Sequence, residues 1–231
     1  LLSGRTQDVN LQAIAKFLAP LGVSVAEARV VADVPDEIIA AVKALRERYD
    51  YVFTTGGIGP THDDKTADAV AAAFGVNDAR AILEAHYKGP GGLNESRLRM
   101  ARIPDGAHLI ANPVSRAPGF QLGNVFVLAG VPSIMRGMLE DIGHRIEGGA
   151  VLRSVTVRGK GVREGDIAAG PEALEQASTG VSFGSYPWFH ADGYGLHLVA
   201  RSADAEALAK AGEDLKALIR ARCSEPEEVE S

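Results

Sequence analysis

The sequence predicts an α/β protein with a smaller α+β portion appended, and three observations carry that prediction. Tyr51-Val52-Phe53 and Val125 to Leu128 are apolar, strand-like runs, and each passes through a glycine turn into a helical pattern. A helix, a strand, a second helix and a second strand precede the first of these turns in βαβ rhythm. After Gly148-Gly149 the order changes to strand, helix, two strands and helix, which resembles a split βαβ unit.

Each element has a local reason. Leu11, Ile14, Ala15 and Leu18 recur at helical spacing over 7–20, with Asp8 and Asn10 at the start, and Val23 to Val31 reads as a strand. Pro35 suits a first helical turn, and Ile38, Ile39, Val42 and Leu45 form its apolar stripe. Asp50 to Thr55 returns as a buried strand. Thr66 to Phe74 is a helix that stops at Gly75, a good left-handed terminator. Residues 79–102 are helical with a loop at Gly89-Pro90-Gly91-Gly92. Strands follow at 108–111, 120–122 and 125–128, with Gly123-Asn124 as a hairpin turn, and then a helix carrying Ile134, Met138 and Ile142. The second portion reads as a strand at 151–157, a helix at 164–177, strands at 181–186 and 194–200, and a helix at 204–222. The expected organisation is therefore 1–148, 149–222 and an acidic, disordered tail at 223–231. No internal repeat is visible.

With 231 residues, 46% hydrophobic and 23% charged, the chain can bury a proper core. A net charge of −6 argues against wholesale binding to nucleic acid or anionic membrane, although local basic sites such as Arg97, Arg99, Arg102 and Arg116 are compatible with it. The single cysteine, Cys223, excludes an intramolecular disulfide and fits a reducing cytosol. No apolar run reaches membrane-span length, and Leu1-Leu2-Ser3-Gly4 lacks the regions of a signal peptide.

Chemistry concentrates in the stretch from Thr54 to Thr66, TTGGIGPTHDDKT. Its glycines let backbone N–H groups approach an anion, and the helix beginning near Asp64 adds free donors and a positive dipole end. Asp63 and Asp64 would repel a bare phosphate, so a divalent cation, Mg2+ by default, belongs between carboxylate and phosphate oxygens. The spacing is neither a Walker loop nor a dinucleotide fingerprint. The alternative is that Asp64 only caps the helix. His62 is either a transition-metal ligand or polar surface, and Phe183, Tyr186, Trp188, Phe189 and Tyr194 either stack a planar ring or form core or a subunit contact.

Ser3 to Asn10 (SGRTQDVN), the Thr54 to Thr66 loop, Asn112-Pro113-Val114 through Ala117-Pro118-Gly119, and Gly130-Val131-Pro132-Ser133 with Met135 occur in the order found in molybdopterin-binding domains of molybdenum-cofactor biosynthesis proteins. The closest resemblance is to the N-terminal part of the competence/damage-inducible CinA proteins. That resemblance implies a three-layer αβα sandwich with a mostly parallel sheet and a ligand at the strand ends. It implies a pterin phosphate or nucleotide pyrophosphate held by Arg5, Thr55, Gly56, Gly57, Gly59, Thr61, Lys65, Thr66, Gly130 and Ser133. Asp63 and Asp64 would be the metal ligands and catalytic carboxylates. Ser133 has a rival role as helix N-cap, and Arg5 ranks above Arg116 as a phosphate contact.

Departures from the family pattern matter. Its members usually begin with a strand and Gly-Asp-Glu before the Ser-Gly-Arg motif, where this chain has Leu1-Leu2. Ala129-Gly130 replaces a Pro-Gly turn, and Ile134 stands where a Glu is common, which weakens a second metal or general-base role. The deamidase domain of full-length CinA proteins is not expected here. The resemblance leaves three functions open. They are molybdopterin binding or adenylyl transfer, metal-dependent pyrophosphatase action on ADP-ribose or a flavin dinucleotide, and non-catalytic sensing. It also implies a cytoplasmic homo-oligomer, dimer or trimer.

Overall fold

The computed structural model describes residues 1–59, 61, 64–76, 103–114, 117–191, 193–222 and 224–229. The expected helix at 79–102, together with His62, Asp63, Arg116 and Cys223, lies outside the described residues. The chain divides into two compact units, Leu1–Leu18 with Ser24–Glu147, and Ala19–Val23 with Gly148–Ser231.

The first unit is an α/β domain. Helix α1 (Asn10–Leu18) starts where Asp8 Oδ1 accepts from the N–H groups of Asn10 and Leu11 at 2.9 and 3.1 Å. Ile14 and Leu18 are its buried stripe, whereas Leu11 is exposed. The strand expected at Val23 to Val31 does not form. That segment joins no ladder, and Val25, Val30 and Val31 are exposed. It is fixed by side chains instead, because Glu27 accepts from Tyr49 Oη at 2.7 Å and from Arg29 Nε at 2.6 Å.

Helix α2 (Pro35–Arg46) has Pro35 in its first turn, as expected, and buries Ile38 and Val42. Strand β1 (Val52–Thr55) leads to α3 (Thr66–Phe74), which stops at Gly75 with φ +68°, and Val76 N–H reaches back to Ala71 O at 3.1 Å. Then come β2 (His108–Ile110), β3 (Gly119–Leu122), β4 (Val125–Leu128) and α4 (Pro132–Ile142). The sheet order is β1-β4-β3-β2. β1 and β4 run parallel, but β3 pairs antiparallel with both β4 and β2, so the sheet is mixed among the described residues rather than mostly parallel. The two-residue turn at Gly123 (φ +55°) dictates this, since a tight hairpin can only join antiparallel strands.

Alternation along the strands builds a layer on each face. Val52, Phe120, Leu122, Val125 and Val127 pack with Ile38 and Val42 of α2 and Ala69, Val70 and Ala73 of α3. Phe126 points the other way and stacks on Phe53 with centroids 5.1 Å apart, and α1 meets α4 in the remaining layer.

The second unit has strands β5 (Arg153–Lys160), β6 (Val181–His190), β7 (Gly193–Ser202) and β8 (Pro226–Val229) in antiparallel order β6-β7-β5-β8. Its helices are α5 (Glu164–Ile167), α6 (Ala169–Ala177) and α7 (Ala205–Arg220). The single helix expected at 164–177 is broken at Ala168, because Pro171 has no N–H for the preceding turn and fits only in a first turn. Asp204 caps α7, accepting from Glu206 and Ala207 N–H at 2.8 and 3.0 Å.

The tail expected to be disordered contributes β8. Two split βαβ units result, β5-helix-β6 around β7 and β7-α7-β8 around β5. Edge pairing with β5 satisfies the β8 backbone, while Glu227 meets Arg158 at 3.8 Å and Glu228 meets Lys216 at 2.9 Å. Those partners offset the like charges that made the tail look disordered.

Candidate functional site

The site is built where β1 and β4, parallel neighbours, end together. Parallel pairing aligns their C-terminal ends, and each then turns through glycine toward a helix, Gly56-Gly57 toward α3 and Gly130 toward α4. A Cβ added at Gly130 would lie 3.1 Å from Gly56 Cα, so the two turns approach closely enough to exclude a side chain there. Gly56 and Gly57 adopt φ of +98° and +67°. The N–H of Gly56 is not available to an anion, because it extends the ladder to Leu128 O at 3.0 Å. Thr66 N–H is likewise taken by Gly57 O at 2.9 Å, which closes the loop onto the start of α3. Gly57 and Gly59 N–H groups have no backbone partner among the described residues.

Asp64 does not cap α3. The helix begins at Thr66, and Lys65 is its N-cap without a side-chain hydrogen bond. Asp64 Oδ2 instead accepts from Thr61 N–H at 2.9 Å and from Thr61 Oγ1 at 2.6 Å, and its carboxyl packs where a Cβ on Gly59 would stand. Asp64 therefore organises the loop. Its Oδ1 carries neither of these bonds and is the oxygen a cation would share.

Asn10 was expected only to help start α1, yet Asp8 performs that task. The Asn10 amide reaches across to the second turn and donates to Gly130 O at 2.8 Å. Asn10 is 8% exposed, and its Oδ1 is buried without a partner, as is Thr54 Oγ1 on β1. The Asp-x-Asn spacing held the signal, since an aspartate that caps the helix frees the asparagine to point elsewhere. Asn112 braces the neighbouring loop, donating to Ala117 O at 2.8 Å and accepting from Val114 N–H at 3.0 Å.

The remaining candidates are less integrated. Ser133 is exposed in the first turn of α4, and its rival capping role fails because the N-cap is Val131. Thr55 and Arg5 are exposed, and Lys65 is half-buried; neither cation has an ion pair among the described residues. Asp63 lies outside the described residues. No group of three or more His, Cys, Asp or Glu suited to a metal occurs among the described residues.

In the second unit the aromatic residues divide. Trp188 is buried and Phe183 packs against the core, while Tyr186, Phe189 and Tyr194 are exposed. No helix among the described residues is long and apolar enough to cross a membrane.

Comparison with known proteins places the chain in a family. The model described as "Probable molybdopterin binding domain" matches residues 1–148, and "FAD synthase, middle domain" matches residues 155–228. A CinA-like protein of Gemmatimonas aurantiaca is 36% identical over 200 residues, covering 79% of this chain and 46% of that protein. One of Desulfosudis oleivorans is 36% identical over 170 residues, covering 69% and 40%. The chain thus spans less than half the length of these curated relatives. A crystal structure of CinA from Thermoplasma acidophilum, a protein of unknown function, superposes with a TM-score of 0.56 at 36% identity, covering 62% of this chain and 90% of that one. The chain therefore belongs to the CinA-like, molybdopterin-binding family.

Proposed function

We infer that the first unit binds the phosphate or pyrophosphate of a pterin or nucleotide at the Gly56-Gly57 and Gly130 turns. The observation that carries this reading is the close approach of the two turns, which leaves backbone where side chains would otherwise stand, beside the partnerless Oδ1 of Asn10. Backbone N–H groups of Gly57 and Gly59 would face the anion, with Lys65 and Arg5 supplying positive charge. Asp64, with Asp63 as the second carboxylate, would hold a Mg2+ ion. When bound, such an ion would neutralise phosphate charge and polarise a phosphoanhydride. The residues themselves orient the anion and hold the loop closed.

A second reading, metal-dependent hydrolysis of ADP-ribose or FAD, is favoured by the succession of a molybdopterin-type match and a FAD-synthase middle-domain match in one chain. One experiment tests both. Calorimetry with ADP-ribose and Mg2+ measures binding, and AMP release from ADP-ribose and FAD with Mg2+ or Co2+ measures turnover, beside Asp63→Ala and Asp64→Asn. Binding without AMP supports the pocket and rejects the hydrolase. Release that both substitutions abolish supports the hydrolase, and absence of binding and release with every ligand, pyrophosphate included, rejects the pocket.

A further inference from the structure

Among the described residues, the helices of the second unit pack on one face of its sheet. Val157, Leu196, Leu198 and Ala200 pack with Leu208, Ala211, Leu215 and Ile219 of α7, so the alternate residues of β5, β6 and β7 lie on the other face. Register brings them into rows, Arg158–His197–Tyr186 and Lys160–Gly195–Trp188, with Arg201 two rows away from His197 along β7. Among the described residues this face holds Arg158, Lys160 and Arg201 against one carboxylate, Glu227, in a chain that is acidic overall.

Two glycines let aromatic rings lie on the sheet. Trp188 covers Gly195, where an added Cβ would stand 2.8 Å from Cζ2, and Tyr186 covers Gly184 at 3.0 Å from Cε2. Arg201 Nη2 donates to Tyr186 Oη at 3.1 Å and fixes the ring, which is 47% exposed. Arg158 lies over Trp188 at 4.2 Å. Within that stack, Arg158 Nε and Trp188 Nε1 are buried donors without an acceptor, and Trp188 is only 7% exposed. Buried donors normally have partners. Both donors are closed off from solvent, so this stack is the floor of the face and Tyr186 its exposed ring.

We propose that this helix-free face binds single-stranded nucleic acid, with Tyr186 stacking a base and Arg158, Lys160 and Arg201 facing phosphates. A four-stranded sheet with open aromatic and basic side chains is a physical platform for unstacked bases. From Gly195 to Arg201 the face extends about 20 Å by strand rise, which suits a run of nucleotides better than a single one. This site is separate from the pocket at the β1 and β4 turns and does not rest on it.

Trp188 is the chain's only tryptophan, so its fluorescence reports on this face. The full chain is titrated at low salt with an oligouridylate of about ten nucleotides, and with AMP. Quenching of Trp188 with a Kd of about 1–100 μM for the oligonucleotide is expected, weakening with salt. Tyr186→Ser should weaken binding about tenfold. Lys160→Gln should lower the salt slope by about one. Both residues are exposed, and circular dichroism checks that the fold is retained. Absence of quenching at about 1 mM oligonucleotide, wild-type affinity in both variants, or AMP binding as tightly as the oligonucleotide would each overturn the proposal.

Discussion

Gly57→Ala tests whether the first glycine turn is as constrained as its geometry implies. Two costs apply. At φ +67° an L-residue pays about 1–2 kcal/mol for the left-handed backbone. The new methyl would also meet the hydroxyl of Thr66 and lie 3.1 Å from Thr66 Cβ, and Thr66, 7% exposed, has little room to withdraw. Overpacking of this kind costs about 1–3 kcal/mol, so the total is about 2–5 kcal/mol. Gly56→Ala is the internal comparison, since its Cβ would find nothing nearer than 3.8 Å and only the backbone term remains. Urea unfolding is followed by circular dichroism, which reports both units together, and by Trp188 fluorescence, which reports the second. Adding Thr66→Ala to Gly57→Ala removes the hydroxyl and should recover about 1–3 kcal/mol. A Gly57→Ala chain as stable as wild type, or a double variant no more stable than Gly57→Ala, would refute the steric argument.

Three further outcomes are expected. Asn10→Ala removes the bond to Gly130 O and should cost about 1 kcal/mol, while ADP-ribose binding, measured by calorimetry, weakens by more than that loss of stability explains. Asp204→Ala removes the α7 cap and should lower the stability of the second unit by about 0.5–2 kcal/mol, read by Trp188 fluorescence in urea. The hydrogen bond from Tyr49, then that from Arg29, holds the Glu27 carboxyl below its ordinary range. Its folded-state pKa is depressed, so its contribution is present above the unfolded value and is lost as pH falls through the lowered one. Glu27→Gln should therefore flatten the acid limb of the melting-temperature profile, and Tyr49→Phe should do so partly.

What the sequence disclosed follows the range of the interactions involved. Pro35, Gly75 and the turn at Gly123 act through their own backbone, and the structure has each in its expected role. Two of the misjudged segments depend on partners that lie outside them. Valine alternation at 23–31 suggested a strand, but side chains of Tyr49 and Arg29 hold Glu27 instead of a ladder. The tail at 226–229 looked too acidic to order, because its partners, Arg158, Lys216 and the edge of β5, lie far back in the chain. Composition records the charges of a segment and is silent on what will neutralise them.

The candidate site divides along the same line. Glycines that must adopt positive φ or admit a close backbone announce themselves, because no other residue meets those demands without strain. The carboxylates were harder to assign, since an aspartate beside a helix start can cap, coordinate or brace a loop with the same side chain. Asp64 braces, through Thr61. Asn10 was less legible still, because its partner is the carbonyl of Gly130, which belongs to every residue type and leaves no mark in the sequence. Its amide has one half bonded to that turn and the other half buried without a partner. An asparagine that only secured α1 to the turn could be replaced by any donor of its shape, whereas a ligand-facing oxygen could not. Asn10→Asp keeps that oxygen and exchanges the donor for a carboxylate, while Asn10→Ala removes both. If Oδ1 serves a ligand donor, Asn10→Asp should bind ADP-ribose more tightly than Asn10→Ala even though it leaves the Gly130 carbonyl facing an acceptor, and the opposite order would confine Asn10 to holding the turn.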